Sequence, residues 1–212
     1  MLRSPPLRRL DAVATPGAAV DGCPPATRSA DLGDEVASRF VSRGVVLWPD
    51  PSSSEAVSAL WKELSAAGLP SLQTHTHRLH RPHVSMVVAQ ELDVASTSLN
   101  VGPTPPVPIP FRVEMAGVFP GGVLVLPVVP SVELLAEQQR ISTAIDDIAI
   151  GRWPFTWPGA WSPHMTCAYG LTGPQIDDAL AIAFKYLPLV GHLSSGGIED
   201  GSTGESWPST RP

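Results

Sequence analysis

Two tripeptides in this sequence place a hydroxyl residue two positions after a histidine. They are His83-Val84-Ser85 and His164-Met165-Thr166, and a proline precedes each of them. A histidine side chain gains or loses a proton close to neutral pH, because its ordinary pKa is about 6.5. One neutral imidazole and one imidazolium can therefore serve as general base and general acid in a single reaction.

This set of four side chains suits the cleavage of a phosphodiester. The base takes a proton from the attacking water or hydroxyl, and the acid protonates the leaving oxygen. Ser85 and Thr166 can donate hydrogen bonds to the non-bridging oxygens, which carry charge in the transition state. Because none of these steps needs a metal ion, we expect no metal and no cofactor.

Both tripeptides lie in predicted strands, His83 to Ala89 and His164 to Tyr169. Side chains of a strand alternate between its two faces, so each histidine shares a face with its hydroxyl residue and with the residue two positions further on. The opposite faces are apolar and consist of Val84, Met86 and Val88 in the first strand and Met165, Cys167 and Tyr169 in the second. Cys167 thus points away from His164, and we do not expect it to be a nucleophile.

The two tripeptides occupy the same place in an internal repeat. The runs Gly44 to Pro49 and Gly122 to Pro127 are apolar strands that each precede a predicted helix with a serine near its start. His83 lies 39 residues after Gly44, and His164 lies 42 residues after Gly122. Two strand–helix–strand units that face each other would place both histidines across one cleft.

The other segments follow from apolar spacing and from turn residues. The predicted elements are a helix from Pro51 to Gly68, a proline-rich loop from Pro103 to Pro110, a strand from Phe111 to Phe119, a helix from Ser131 to Ile148, a helix from Pro174 to Tyr186 and a closing strand between Leu187 and Ile198. Strands and helices thus alternate along the predicted domain.

The domain organisation follows from composition. Residues 1–36 are rich in Pro, Ala, Gly and Asp and show no sustained apolar period, which predicts a disordered or loosely ordered tail. Residues 37–207 form the predicted domain, with Trp207 pinning its end to the body, and residues 208–212 form a C-terminal tail.

Charge limits the partners of the protein. The chain has 14 Lys and Arg against 20 Asp and Glu, a formal net charge of −6. Binding along a long nucleic-acid duplex calls for clustered basic residues, so we expect no such partner. A local basic patch can still bind one small anion or one nucleic-acid end.

The sequence also predicts the compartment. No apolar run reaches the roughly 18 residues of a membrane span, and the N-terminus lacks the apolar core of a signal peptide. The two cysteines, Cys23 and Cys167, do not form a disulfide framework. We therefore expect a soluble protein of the reducing cytoplasm, and a monomer.

The paired motifs Pro-His-Val-Ser-Met and Pro-His-Met-Thr-Cys, 81 residues apart, resemble those of the 2H phosphoesterase superfamily. From about residue 42 to residue 207, the chain is similar to the bacterial 2′-5′ RNA ligase family, which includes RNA 2′,3′-cyclic phosphodiesterases. The first motif has Ser85 where the HxTx pattern of the family more often has threonine. The resemblance implies a bilobal α+β fold of two pseudo-twofold related strand–helix–strand lobes, with antiparallel sheets around a central cleft.

The resemblance also implies the activity and the site. His83, Ser85, His164 and Thr166 would be the active-site quartet of a metal-independent phosphodiesterase. It would open a 2′,3′-cyclic phosphate or a 2′,5′ linkage at an RNA terminus or in a small cyclic nucleotide, with reverse 2′-5′ ligation possible in principle. We expect His83 as general acid and His164 as general base, although the sequence does not assign the direction. The alternative is a non-catalytic module that binds an RNA end or a nucleotide on the same fold.

The segment before the first motif has two further interpretations. Arg78 or Arg81 could bind a substrate phosphate, because a guanidinium fork matches its oxygens; a solvated loop is the alternative. The histidines of this segment also permit a zinc site, which we disfavour because a local cluster without cysteine does not define tetrahedral ligand geometry. These histidines are His75, His77, His80 and His83.

Three further features have ordinary structural explanations. An aromatic residue in the loop before the second motif could stack on a base, but packing of a proline-rich loop is the more frequent role of such residues. The residues concerned are Trp153, Trp157 and Trp161. The segment Glu199 to Gly204 could brace the cleft, but we expect a solvated acidic turn. His192 has no motif around it and is predicted to be structural.

Overall fold

The computed structural model describes residues 42–209 of the chain. The predicted N-terminal tail, residues 1–36, lies outside the described residues. In chain order the described elements are β1 (Arg43–Pro49), α1 (Pro51–Ala66), β2 (Val84–Glu91), α2 (Val94–Val101), β3 (Ile109–Val113), β4 (Gly117–Phe119), β5 (Val123–Pro127), α3 (Val132–Ala144), β6 (Ile150–Arg152), a 3-10 turn (Pro154–Thr156), β7 (His164–Ala168), α4 (Gly173–Phe184), β8 (Leu189–Asp200) and β9 (Ser206–Pro208).

The strands form two antiparallel sheets. The larger sheet has the order β3-β8-β1-β2-β6, with β9 paired to β8, and the smaller sheet has the order β4-β5-β7. The first motif strand, β2, lies in the larger sheet, and the second, β7, lies in the smaller one. This arrangement confirms the predicted α+β fold with two strand–helix–strand units.

Helix α1 shows why the sequence forms these units. Asp50 follows β1 and caps the helix, because its side chain accepts a hydrogen bond from the backbone N–H of Ser53. Apolar residues at helical spacing then turn one face of the helix into the core. They are Val57, Leu60, Trp61 and Leu64, all nearly fully buried. The tertiary structure thus uses the amphipathic pattern that predicted the helix.

Most predicted bounds agree with the structure to within two residues, but two predicted elements differ by more. The predicted strand Phe111 to Phe119 is two strands, because the chain leaves the larger sheet after Val113 and enters the smaller sheet at Gly117. The predicted helix that starts at Ser131 ends at Ala144 rather than at Ile148. Ile145 remains in the core, but the chain must turn after it so that β6 can pair with β2. Helix α2 was not predicted from the sequence.

Strand pairing matches the two repeat units with an offset of one residue from the match that their glycine-led runs predict. Leu47 pairs with Val84 next to the first histidine, whereas Leu126 pairs with Met165 next to the second. Leu47 is therefore equivalent to Leu126, not to Val125 as the two glycine-led runs suggest. The cause is that cross-strand pairing, and not the position of a glycine, sets which residues correspond.

Each motif strand contains a β-bulge at the same point. In β2 the extra residue is Met86, since Val45 and Val46 pair with Val87 and Ser85. In β7 the extra residue is Cys167, because Leu124 and Val125 pair with Ala168 and Thr166. Both extra residues are fully buried and directly follow the hydroxyl residue of their motif. The predicted alternation of faces thus extends through Ser85 and Thr166 and is interrupted after them.

Each unit contacts the bulge in the motif strand of the other unit. Helix α1 of the first unit packs against β7 of the second, and helix α3 of the second unit packs against β2 of the first. The backbone N–H of Leu72 donates to the carbonyl of Cys167 at 3.0 Å. Reciprocally, Nε2 of Gln138 donates to the carbonyl of Met86 at 3.3 Å. The spacing of the two motif strands therefore depends on contacts between the units.

Candidate active site

The two motif histidines make the same backbone contact. Nδ1 of His83 lies 2.9 Å from the carbonyl oxygen of Arg81, and Nδ1 of His164 lies 2.7 Å from the carbonyl oxygen of Ser162. A carbonyl oxygen only accepts hydrogen bonds, so Nδ1 carries the hydrogen in both rings. In the neutral ring this leaves the Nε2 lone pair for a substrate, and in the imidazolium it leaves the Nε2 proton. Both imidazoles are thus oriented alike by their own strands.

The hydroxyl residues accompany the histidines on the accessible side of each strand. Ser85 and Thr166 are half-buried, like His83 and His164, whereas the residue between histidine and hydroxyl is fully buried in both strands. Nε1 of Trp161 donates to the carbonyl of Ser85 at 2.9 Å. The loop before the second motif is thereby fastened to the strand of the first.

One histidine also has an acidic partner. Nδ1 of His83 lies 3.1 Å from Oε2 of Glu199, which extends from β8 across the larger sheet. Oε1 of the same carboxylate accepts a hydrogen bond from Nε1 of Trp48 at 2.5 Å. The prediction of a solvated turn is thus wrong for Glu199, since this residue and Asp200 belong to β8. No local signal reveals the contact, because only the pairing of β8 with β1 brings Glu199 to the motif.

The pKa values of the two imidazoles shift in opposite directions. Burial acts to lower the pKa of His83, but the charge and hydrogen bond of Glu199, aided by the Arg81 carbonyl, outweigh it and raise this pKa above its usual value. Burial lowers the pKa of His164, the Ser162 carbonyl opposes the effect, and the nearby charge of His83 lowers it further. The structure therefore favours a protonated His83 beside a neutral His164.

An aromatic ring packs against the second histidine. The ring of Phe119 meets the ring of His164 edge-on, with 4.9 Å between the ring centroids. Phe119 ends β4, which pairs with β5, and β5 pairs with β7. The smaller sheet thus supplies the low-polarity surroundings that disfavour the charged form of His164.

The two candidate phosphate ligands differ in their surroundings. The guanidinium of Arg81 lies over the ring of Trp48, 4.1 Å from its centroid, and its side chain is exposed. Arg78 is also exposed and has a positive φ of 59°. Arg81 therefore lies beside the His83–Glu199 pair, whereas Arg78 lies further back in the loop. Phosphate binding by either residue stays a prediction.

The histidines before the first motif pack against one another. The His77 and His80 rings are 4.1 Å apart, and His75 lies 5.1 Å from the ring of Tyr169. Burial, followed by the charges of the neighbouring histidines, lowers the pKa of His80 to about 4. Within residues 42–209 no three His, Cys, Asp or Glu side chains are arranged to hold a metal ion. The cluster thus consists of histidine rings in mutual contact, and the absence of a zinc site here stays a prediction.

The three tryptophans of the loop before the second motif play different parts. Trp161 is partly buried against the core and bonded to Ser85. Trp153 and Trp157 are exposed by 42% and 43%, and the guanidinium of Arg152 lies 4.0 Å from the ring centroid of Trp157. The packing interpretation thus applies to Trp161, and base stacking by the other two stays a prediction.

Two other side chains stand apart from the quartet. Cys167 is fully buried, and burial raises the pKa of its thiol to about 12, which agrees with its predicted lack of nucleophilicity. The exposed His192 lies on β8, where its backbone N–H donates to Asp50 at the start of α1. No helix within residues 42–209 combines the length and apolar character that crossing a membrane requires.

Comparisons with known proteins identify the family of the chain. The family model of the 2′-5′ RNA ligase superfamily matches residues 49–193, which include both motifs. Among solved structures the chain is similar to Usb1 of Kluyveromyces marxianus, with 9% identity, a TM-score of 0.47, and coverage of 83% of this chain and 100% of that one.

A second structure, of the same Usb1 with uridine monophosphate, has 9% identity, a TM-score of 0.44 and the same coverage. No curated protein matches the chain significantly. The family match extends over more than half of the chain, from the end of β1 into β8. The chain therefore belongs to the 2′-5′ RNA ligase superfamily, a group of two-histidine phosphoesterases.

Proposed function

We propose that this protein is a metal-independent phosphodiesterase that opens a 2′,3′-cyclic phosphate, or cleaves a 2′,5′ linkage, at an RNA terminus or in a small cyclic nucleotide. The observation that carries the proposal is the opposite protonation bias of two identically oriented imidazoles, His83 and His164. An acid and a base poised in this way are what an in-line displacement at phosphorus needs. Membership of the superfamily supports phosphodiesterase chemistry in general, without specifying the substrate.

In the proposed reaction the neutral Nε2 of His164 takes a proton from a water molecule. The water oxygen bonds to phosphorus, and the bond from phosphorus to one ribose oxygen breaks. Nε2 of His83 gives its proton to that leaving oxygen. The net result is a hydroxyl, a phosphomonoester and a proton moved from His83 to His164, which exchange with solvent reverses. In 2′-5′ ligation the 5′-hydroxyl of a second RNA would replace water: His164 would take its proton, its oxygen would bond to the phosphorus of the cyclic phosphate, and the bond from phosphorus to the ribose O3′ would break as O3′ takes the proton of His83.

Charge on the non-bridging oxygens is stabilised in this proposal by hydrogen bonds. The hydroxyls of Ser85 and Thr166 lie one strand repeat beyond the histidines, at half-buried positions where they can donate. Arg81 and Arg78 would add positive charge from the loop that leads into β2. A cytoplasmic location and a monomeric state stay predictions from the composition.

The test is an assay with a short RNA that ends in a 2′,3′-cyclic phosphate, in excess EDTA. We expect the wild-type protein to convert this end to a 2′-phosphate, and we expect His83→Ala and His164→Ala each to lower kcat at least 10²-fold. His192→Ala is the matched control, because this exposed histidine contacts α1 through its backbone rather than its ring. It should retain full activity.

The same samples separate this function from its alternative. If the protein binds the RNA end tightly but does not convert it, the result would refute the enzyme and favour the non-catalytic binding module. Turnover that EDTA abolishes would refute metal independence. Turnover that survives both histidine substitutions would refute the two-histidine mechanism.

A further inference from the structure

The two halves of the site match closely, apart from one carboxylate. Each motif strand has a histidine bonded through Nδ1 to the carbonyl two residues earlier, a hydroxyl residue and a buried bulge. Only on the first strand does Nδ1 also meet a carboxylate, that of Glu199 at 3.1 Å, within the described residues. A two-fold related pair of imidazoles does not by itself distinguish acid from base. Whatever makes the pair directional must break this symmetry.

We infer that Glu199 is the positioning residue that makes His83 the proton donor, and that Trp48 and Arg81 hold Glu199 for this task. The inference deepens the proposed function and rests on it. In this arrangement the single Nδ1–H of His83 lies between the Arg81 carbonyl and the Glu199 carboxylate, which keeps Nε2–H directed at the leaving oxygen. Glu199 itself does not touch the substrate.

The surroundings of Glu199 are built to hold an ionised carboxylate. Its side chain is 15% exposed, and its second oxygen accepts from the indole N–H of Trp48. Trp48 is 2% exposed and is covered on one face by the guanidinium of Arg81. Burial acts to raise the pKa of Glu199, but the positive charge and hydrogen bond of His83, the Trp48 bond and the charge of Arg81 outweigh it and lower this pKa.

Other charged groups near His83 do not substitute for the carboxylate. Arg81 is cationic and acts against protonation of His83. His80 and His164 are imidazoles, which are either neutral or cationic, so they supply no negative charge to His83. Among the described residues facing His83, Glu199 is thus the group that stabilises the imidazolium.

The first measurement needs neither substrate nor substitution. We would determine the pKa values of His83 and His164 by NMR titration of the ring ¹⁵N and ¹H signals in the wild-type protein. We expect the pKa of His83 to exceed that of His164. The reverse order would overturn the inference.

The second measurement removes the charge while keeping the shape. In Glu199→Gln we expect the NMR pKa of His83 to fall by about one unit or more, because a neighbouring opposite charge shifts a pKa by about 1–3 units. The basic limb of the kcat/KM profile should move to lower pH by the same amount, since His83 must be protonated. The acidic limb, which reports His164, should stay in place or move slightly upward.

A control variant separates the loss of the carboxylate beside His83 from the loss of one negative charge elsewhere in the protein. Glu205→Gln removes an equal charge from the exposed turn between β8 and β9 and should leave both limbs unchanged. If Glu199→Gln lowers activity without moving the basic limb or the pKa of His83, Glu199 is merely structural. If the pKa of His83 falls but the wild-type protein cleaves no cyclic phosphate, Glu199 still polarises His83 and the proposed function fails instead.

Discussion

The reciprocal contact between the two units can be tested at Gln138. This residue of α3 is 2% exposed, and its Nε2 donates to the carbonyl of Met86 in the bulge of β2 and, at 2.8 Å, to the carbonyl of Thr156. Gln138→Met retains the volume and the unbranched shape but removes both donors. The substitution thus asks whether the second unit holds the first motif strand in place.

The expected magnitude follows from the contacts. A net amide hydrogen bond contributes about 1 kcal/mol, so the loss of two should lower the free energy of unfolding by about 2 kcal/mol. With an m-value near 2 kcal/mol/M for urea, the midpoint should fall by about 1 M. Because the Met86 bulge directly follows Ser85, we also expect kcat to fall on the order of tenfold under conditions where the variant is folded.

The assay has a control one residue away. Gln139 lies on the exposed side of the same helix and bonds only to Thr143 within the described residues. Gln139→Met should stay within about 0.5 kcal/mol of the wild-type stability and retain full activity. Equal urea midpoints and equal kcat values for the two variants would refute the idea that α3 holds the bulge.

Two further predictions concern the frame of the site. Gly122 has a φ of 72°, and a Cβ there would overlap the backbone of Leu171, whereas Gly121 has a φ of 85° and open space around it. Gly122→Ala should therefore cost at least about 2 kcal/mol more than Gly121→Ala in urea unfolding, and equal losses would contradict the overlap. At Asp50 burial acts to raise the pKa, but hydrogen bonds from His192, Ser52 and Ser53 outweigh it and lower this pKa. This stabilisation is present above the unfolded pKa of about 3.9 and is lost as the pH falls below it. The free energy of unfolding should therefore fall less between pH 6 and pH 3 in Asp50→Asn than in the wild-type protein. An equal fall in both proteins would contradict this.

The site could be predicted from the sequence where its chemistry is local. The two motifs, their strands and the two strand–helix–strand units follow from period-two alternation, from turn residues and from a repeat that places both histidines at equivalent positions. The α+β class was implied by the resemblance to the family. The helices that Asp50 and Ser131 cap were predicted because a cap and an apolar stripe are short-range features.

Other features were missed because they depend on pairing between distant segments. The bulges at Met86 and Cys167 and the one-residue shift of the repeat are properties of strand register, which the sequence of one strand does not reveal. The break between Val113 and Gly117 reflects a change of sheet and not a change of local propensity. Glu199 reaches His83 only because β8 lies beside β1.

The sequence by itself determined which groups could move protons in the proposed reaction, because each of two tripeptides combines an imidazole, whose ordinary pKa is near neutrality, with a nearby hydroxyl. It left the direction of proton transfer open, because the tripeptides are near copies of each other. The tertiary structure decided how the surroundings of the two imidazoles differ, because it brings a carboxylate 116 residues away in the chain to His83 and the ring of Phe119 to His164. The physical reason is that a pKa depends on charge and burial in space, and not on neighbours in sequence.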